Sequence, residues 1–167
     1  SAFYHDSAAC LVQDGKVIAA AQEERFTRKK HDPSFPTHGI SYCLDAGNID
    51  ISDVDCVAYY EKPILKFDRA METFMHHAPR NGRMFRRGMS SWFTEKLRVP
   101  DLVESKLGYE GEILFASHHE SHAASAFYLS PYDDALVLTV DGVGEWATNS
   151  LAVGNGSDLS LLREINF

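Results

Sequence analysis

A chain of 167 residues, 44% hydrophobic and 24% charged, has the make-up of a soluble globular protein with enough length for one substantial core. Its formal net charge of −8 argues against a general nucleic-acid binder, which needs a basic surplus to displace phosphate counterions, so anionic ligands require locally placed cations. No apolar run approaches the ~20 residues of a membrane helix or forms a signal-peptide core, which predicts no membrane partner and a cytoplasmic location.

Ser1 to Asp6 is expected to end a strand that starts earlier, with a few natural residues preceding Ser1. Ser7 to Gln13, the dipeptide Asp14-Gly15 and the apolar run Val17 to Ala21 predict a hairpin, because the two turn residues tolerate positive φ. The stretch from Glu23 to His31 then carries Arg25, Arg28, Lys29 and Lys30, either as a solvated face or as a place to meet a phosphate or carboxylate. Ile40, Tyr42, Cys43 and Leu44, with Thr37 before and Gly47 after, predict a short helix punctuated at both ends. Val54 to Tyr60 predicts a buried strand. From Lys62 to Leu107 the pattern is helical, broken at Pro79 and Pro100, and contains the basic cluster Arg80, Arg83, Arg86 and Arg87. Glu112 to Ala116 predicts a strand, Ser117 to Leu129 a helix stopped by Pro131, and Ala135 to Val140 a buried strand of parallel type. Thr148 to Val153 and Leu159 to Ile165 predict two further strands joined by a turn at Asn155-Gly156.

Cys10, Cys43 and Cys56 are odd in number, widely spaced and in no CxxC pattern, so they are expected as reduced, buried thiols. A polar dipeptide, strand, Gly-containing turn and strand occur near both ends: His5-Asp6 with its DG turn, and Asp141-Gly142 with its NG turn. Such an internal duplication predicts an α/β fold of the actin-like ATPase, ribonuclease H-like kind, with a mixed sheet and flanking helices. The expected division is a first lobe over 1–134, with a helical insertion at about 62–107, and the opening strands of a second lobe over 135–167.

The chemistry concentrates in Ser117-His118-His119-Glu120-Ser121-His122. Ser117 and Glu120 have capping-box spacing, which places the histidines in the first helical turns. At i and i+4, His118 and His122 share a helical face and can reach one metal, whereas His119 is rotated by about 100° toward solvent or a second site. The positive end of the helix dipole favours neutral, ligating imidazole but repels a bare cation, so an anionic partner is expected. Asp141, at a strand's carboxyl end, is the candidate. Gly142 and Gly144 would let backbone N–H groups approach phosphate oxygens, and Glu145 could hold a water or a ribose. Two imidazoles and a carboxylate suit iron, manganese or zinc.

Three blocks carry a family resemblance. FYHDSAACLVQDGKVIAAAQEERFTRKKH resembles the N-terminus of the NodU/CmcH-type carbamoyltransferases, and SHHESHAASAF and LTVDGVGEWATNS resemble two later blocks, in the same order. The resemblance implies an actin-like lobe pair, similar to the tRNA threonylcarbamoyl-adenosine transferase, that binds a nucleotide adduct and a metal, commonly iron, through an HxxxH motif. His118 and His122 match that motif and Asp141 the next carboxylate ligand. His5 matches a site histidine, a candidate base, and Lys29, Lys30 and His31 match the basic block. The implied reaction joins carbamoyl phosphate and ATP into a carbamoyl-adenylate in a C-terminal YrdC-like domain, then moves the carbamoyl group to an acceptor hydroxyl of a small molecule. Residues up to Phe167 lack most of the second lobe, a later carboxylate ligand and that domain, so this piece alone is expected to be inactive.

Two other readings compete. A tRNA-modifying threonylcarbamoyl-type transferase would keep the fold, but the acidic balance and the HDSA block count against it. A nucleotide-responsive, non-catalytic interaction module would need no helical histidine pair.

Overall fold

The computed structural model describes residues 1–78 and 82–167. Pro79 and Arg80 lie outside the described residues, as does the Arg87 side chain. In chain order the elements are β1 (Ala8–Gln13), β2 (Lys16–Gln22), α1 (Glu24–Thr27), α2 (Thr37–Gly47), β3 (Cys56–Tyr59), α3 (Pro63–His77), α4 (Gly82–Thr94), α5 (Val99–Leu107), β4 (Glu112–Phe115), α6 (His118–Phe127), β5 (Asp134–Val140), β6 (Ala147–Asn155) and β7 (Asp158–Asn166). The fold is mixed α/β, and among the described residues its strands are distributed over three small sheets, β1-β2, β3-β4 and β5-β6-β7, where the sequence predicts a mixed sheet in a first lobe and the opening strands of a second. None of the helices among the described residues is long and apolar enough to cross a membrane. The chain forms two compact units, Ser1–Val57 with Phe93–Ile113 and Ala58–Trp92 with Leu114–Phe167.

In the first unit the expected hairpin forms with Asp14 at φ 50° and Gly15 at φ 73°, the pair of positive φ values a type I′ turn requires. Helix α2 lies on this hairpin through Gly39, Cys43 and Gly47, a stripe of small residues four apart. Added Cβ atoms at Gly39 and Gly47 would stand 3.0 Å from the Ala21 carbonyl oxygen and 2.5 Å from Leu11 Cδ2. Gly47 is therefore a packing residue, and the left-handed stop falls to Asn48, at φ 50°. The start is capped from a distance: the buried Glu23 carboxylate accepts the Gly39 N–H at 2.9 Å and lies 2.6 Å from His38 Nδ1. Ser1 to Asp6 is not a strand end. It is an irregular segment with Phe3 and Asp6 at positive φ. Of the cysteines only Cys43 is buried; Cys10 and Cys56 are exposed, and all three are free. Pro100 does not break a helix but sits in the first turn of α5, where its missing N–H costs nothing.

The second unit is an antiparallel sheet covered on one face by α6. Ala123 and Phe127 pack on Val137 and Ala152, and a Cβ at Gly154 would stand only 2.5 Å from Phe127 ring atoms. Alternation along β5 sends Val137 and Thr139 inward, while Leu136, Leu138 and Val140 are about 70% exposed on the other side. Thus β5 is an antiparallel edge strand with one buried face, not the buried, parallel-type strand its apolar run predicts. The β6-β7 turn is Gly156-Ser157, one residue later than expected, because Asn155 pairs with Asp158.

Candidate metal centre

Helix α6 begins at His118 because a distant carboxylate satisfies its first N–H. Glu145, buried in the loop between β5 and β6, receives the His118 N–H at 3.0 and 2.9 Å on its two oxygens and the Lys62 N–H at 2.8 Å. That charge at the positive helix end replaces the predicted capping box. The Ser117 and Glu120 side chains bond to each other, Oγ to Oε2 at 3.1 Å, and not to the helix N–H groups. Glu145, expected at a nucleotide, is thus committed to holding the loop on the helix.

Gly144 makes that close approach possible: a Cβ there would meet His118 Cβ at 3.1 Å and the Cδ2 atoms of His118 and His119 at 3.0 and 3.1 Å. Its N–H donates to the Ala147 carbonyl at 2.8 Å and is not turned to a phosphate. Gly142 has open space beside it, and its N–H donates to Asp141 Oδ1 at 2.6 Å. The other oxygen, Oδ2, then faces the helix.

There the three expected ligands converge. His118 Nε2 lies 2.8 Å from Asp141 Oδ2 and 3.1 Å from His122 Nε2, and His122 Nε2 lies 3.9 Å from the same Asp141 oxygen. Three atoms held 2.0–2.1 Å from a common tetrahedral centre stand ~3.3 Å apart, and these spacings scatter about that value. Two ring nitrogens and a carboxylate oxygen facing one point cannot all be satisfied by one proton. The donor set fits a divalent transition metal, and the cluster is open to solvent, since the His122 side chain is 51% exposed and Asp141 34%, against 12% for His118.

The surrounding charges treat the two imidazoles differently. The Glu61 carboxylate, foremost, and Asp141 raise the His118 pKa against the opposing effect of burial. Burial and the neighbouring His118 charge lower that of His122, favouring the neutral, ligating ring. Burial alone would push Asp141 up, but the Gly142 N–H and His118 outweigh it and leave its pKa lowered.

Between the two candidate ligands on the helix, His119 is 1% exposed and not directed to solvent. Its Nε2 faces the Ala147 carbonyl at 2.8 Å and so carries the proton; its Nδ1 therefore accepts from Thr139 Oγ1 at 2.5 Å, and Thr139 accepts from Ser150 Oγ at 2.6 Å. This fully paired chain ties α6 to β5 and β6 and sets the helix rotation that turns His118 and His122 toward Asp141.

Sequence reasoning misses Glu61. It lies two residues beyond the end of β3, after Tyr60, is buried, and its Oε2 lies 3.6 Å from His118 Nδ1 and 2.5 Å from Lys66 Nζ. The rule that selects Asp141, a carboxylate just beyond a strand's carboxyl end, would have found it at Tyr60-Glu61.

The remaining candidates lie in the first unit. Asp6 receives His5 Nδ1 on Oδ2 at 2.8 Å and His31 Nδ1 on Oδ1 at 2.9 Å, while the His31 N–H donates to Glu24 Oε2 at 2.9 Å. Hydrogen bonds from His31 and His5 hold Asp6 below the usual carboxylate range. Lys29 Nζ is 3.5 Å from Asp32, and Lys30 is exposed. Asp32 itself is buried and held far below ordinary carboxylate values by hydrogen bonds from Ser34 and Thr27.

Comparison with known proteins adds a family. Residues 1–167 match the family described as Carbamoyltransferase N-terminus. The chain is 52% identical over 175 aligned positions to an uncharacterized protein of Synechocystis sp., covering 100% of the chain and 28% of that protein. It is 40% identical over 163 to the nodulation protein NolNO of Sinorhizobium fredii, covering 96% and 23%. An uncharacterized protein of Methanocaldococcus jannaschii is 26% identical over 160, covering 96% and 25%. The chain therefore spans about a quarter of the length of these relatives.

Proposed function

This chain belongs to the carbamoyltransferase N-terminal family, and from that membership we propose that it is the actin-like, N-terminal part of an ATP-dependent O-carbamoyltransferase acting in the cytoplasm. The carbamoyl group would come from a carbamoyl-adenylate, made from carbamoyl phosphate and ATP in a YrdC-like domain of the same protein, and would go to a hydroxyl of a small-molecule acceptor. The observation that supports this most is the convergence of His118, His122 and Asp141 on one point.

In the transfer the acceptor oxygen attacks the carbonyl carbon of the mixed anhydride, a new C–O bond forms, and the bond from that carbon to the phosphate oxygen breaks to release AMP. Held by His118, His122 and Asp141, a divalent cation, iron foremost with manganese or zinc as alternatives, would supply Lewis-acid polarisation of the carbonyl or orientation of the phosphate. His118 and His122 present Nε2 and Asp141 presents Oδ2 for that purpose, and Glu145 and His119 keep them aligned. His5 is proposed as the base that takes the acceptor proton. With Nδ1–H committed to Asp6, its Nε2 is the nitrogen with a lone pair. Lys29, Lys30, His31 and the open Gly142 are proposed to meet phosphate oxygens.

The test is an assay of the full-length protein for carbamoyl phosphate-dependent release of pyrophosphate from ATP, followed by an acceptor-hydroxyl screen. Release without carbamoyl phosphate, or none with it, would overturn the reading. Wild-type turnover in His5→Ala would remove His5 from the chemistry.

A further inference from the structure

Glu61 and Lys66 form a buried pair behind the metal triad for which the transfer above has no use. Glu61 lies two residues beyond β3, Lys66 closes the first turn of α3, and their side chains are 7% and 12% exposed. Lys66 Nζ sits 2.5 Å from Glu61 Oε2, and the same oxygen is 3.6 Å from His118 Nδ1. That ring nitrogen is itself buried and has no hydrogen-bond partner at this distance, while the opposite nitrogen, Nε2, faces Asp141 and His122.

An imidazole that ligates through Nε2 must carry its proton on Nδ1. A buried N–H without an acceptor is costly, so either a partner closes on it or the ring turns over. Glu61 is placed to be that partner, because a shift of well under 1 Å brings 3.6 Å into hydrogen-bond range. Lys66 balances its charge, which lets a carboxylate sit behind the ligand without being drawn forward into the ligand set.

We propose that Glu61, held by Lys66, is the outer positioning residue of the metal centre: it fixes His118 as the Nδ1–H tautomer and aims Nε2 at the cation. This rests on the metal reading of His118, His122 and Asp141. Outer carboxylates of this kind set metal affinity as well as geometry.

Titration of the metal-free full-length protein with cobalt(II), followed by its visible d–d absorption, separates the two ideas. Wild type gives a saturable band. Glu61→Ala binds cobalt(II) about 10–100-fold more weakly, and Glu61→Gln, whose amide oxygen still accepts a hydrogen bond, lies between. Melting of the metal-free variants near the wild-type temperature shows that folding is intact. If wild type and both variants give equal affinities and identical bands, Glu61 has no such role and the triad stands without it. If wild type gives no band, the metal reading itself fails and this one goes with it. The zinc-loaded wild-type protein provides a readout that needs no substitution: nitrogen-15 NMR finds the His118 proton on Nδ1, slow to exchange. A proton on Nε2 with zinc on Nδ1 overturns the proposal.

Discussion

Two clusters in this chain are built from the same parts, two histidines and an aspartate, and they are organised in opposite ways. In the first unit Asp6 stands between His5 and His31 and takes one Nδ1 on each oxygen. In the second unit Asp141 gives one oxygen to its neighbour's N–H, and its other oxygen meets two Nε2 atoms at a common point. The first arrangement is a closed hydrogen-bond set in which each donor has its acceptor. The second brings three potential ligand atoms to face one another, the arrangement that the proposed cation would use. The difference comes from the backbone: His118 and His122 ride on one helical face, whereas His5 and His31 sit in irregular segments with Asp6 and His31 at positive φ. The same residue types thus give a closed hydrogen-bond set in one place and a convergent candidate metal site in the other.

The largest expected effect breaks this comparison outright. A His118→Ala, His122→Ala double substitution lowers transition-metal affinity by more than about 100-fold, as measured by elemental analysis and competition with a chelator. The matching His5→Ala, His31→Ala protein retains its metal. Asp6, Glu24 and His31 also bring ligand atoms within 4.8 Å of one another, so metal loss in the second protein would erase the distinction drawn here.

Next in size are the two buried carboxylates that cap helices from outside them, Glu145 for α6 and Glu23 for α2. Glu145→Ala orphans the His118 and Lys62 N–H groups and is expected to cost about 2–3 kcal/mol in chemical denaturation, with weaker metal binding as well. Glu23→Ala costs about 1–2 kcal/mol and leaves metal affinity unchanged.

Glycines of the Asp141 loop sharpen the contrast further. Gly144→Ala forces a Cβ against His118 and His119, for about 1–3 kcal/mol and a drop in metal affinity. Gly142→Ala, in open space, stays within about 0.5 kcal/mol of wild type.

The smallest effect concerns pH in the first unit. Because the folded-state pKa of Asp32 is lowered, the unfolded chain binds more protons there, and stability rises with pH. The Asp32 contribution is complete above the unfolded value of ~3.9 and is lost as pH falls through the folded one. An Asp32→Asn protein should therefore show a shallower acid-side loss of stability, read from denaturation midpoints across that range.

Much of this was legible in the residues themselves. The Asp14-Gly15 hairpin turn, the i,i+4 histidines and the strand-end Asp141 depend on local sterics and helical pitch, which act within a few residues. Gly47 and the β6-β7 turn were read nearly right but assigned the wrong local job or place, because packing against Leu11 and the Asn155-Asp158 pairing decided them.

By itself, the order of residues determined most element types, the turn chemistry and the shared face of His118 and His122, all set by bonded geometry and short-range hydrogen bonds. Only the tertiary structure decided that His119 is buried in a hydrogen-bonded chain, that Glu145 caps α6 across 27 residues, that Glu61 backs His118, and that β5 leaves one apolar face uncovered. Those outcomes depend on which surface of a helix or strand meets another, and the free energy that selects it comes from contacts between residues far apart along the chain.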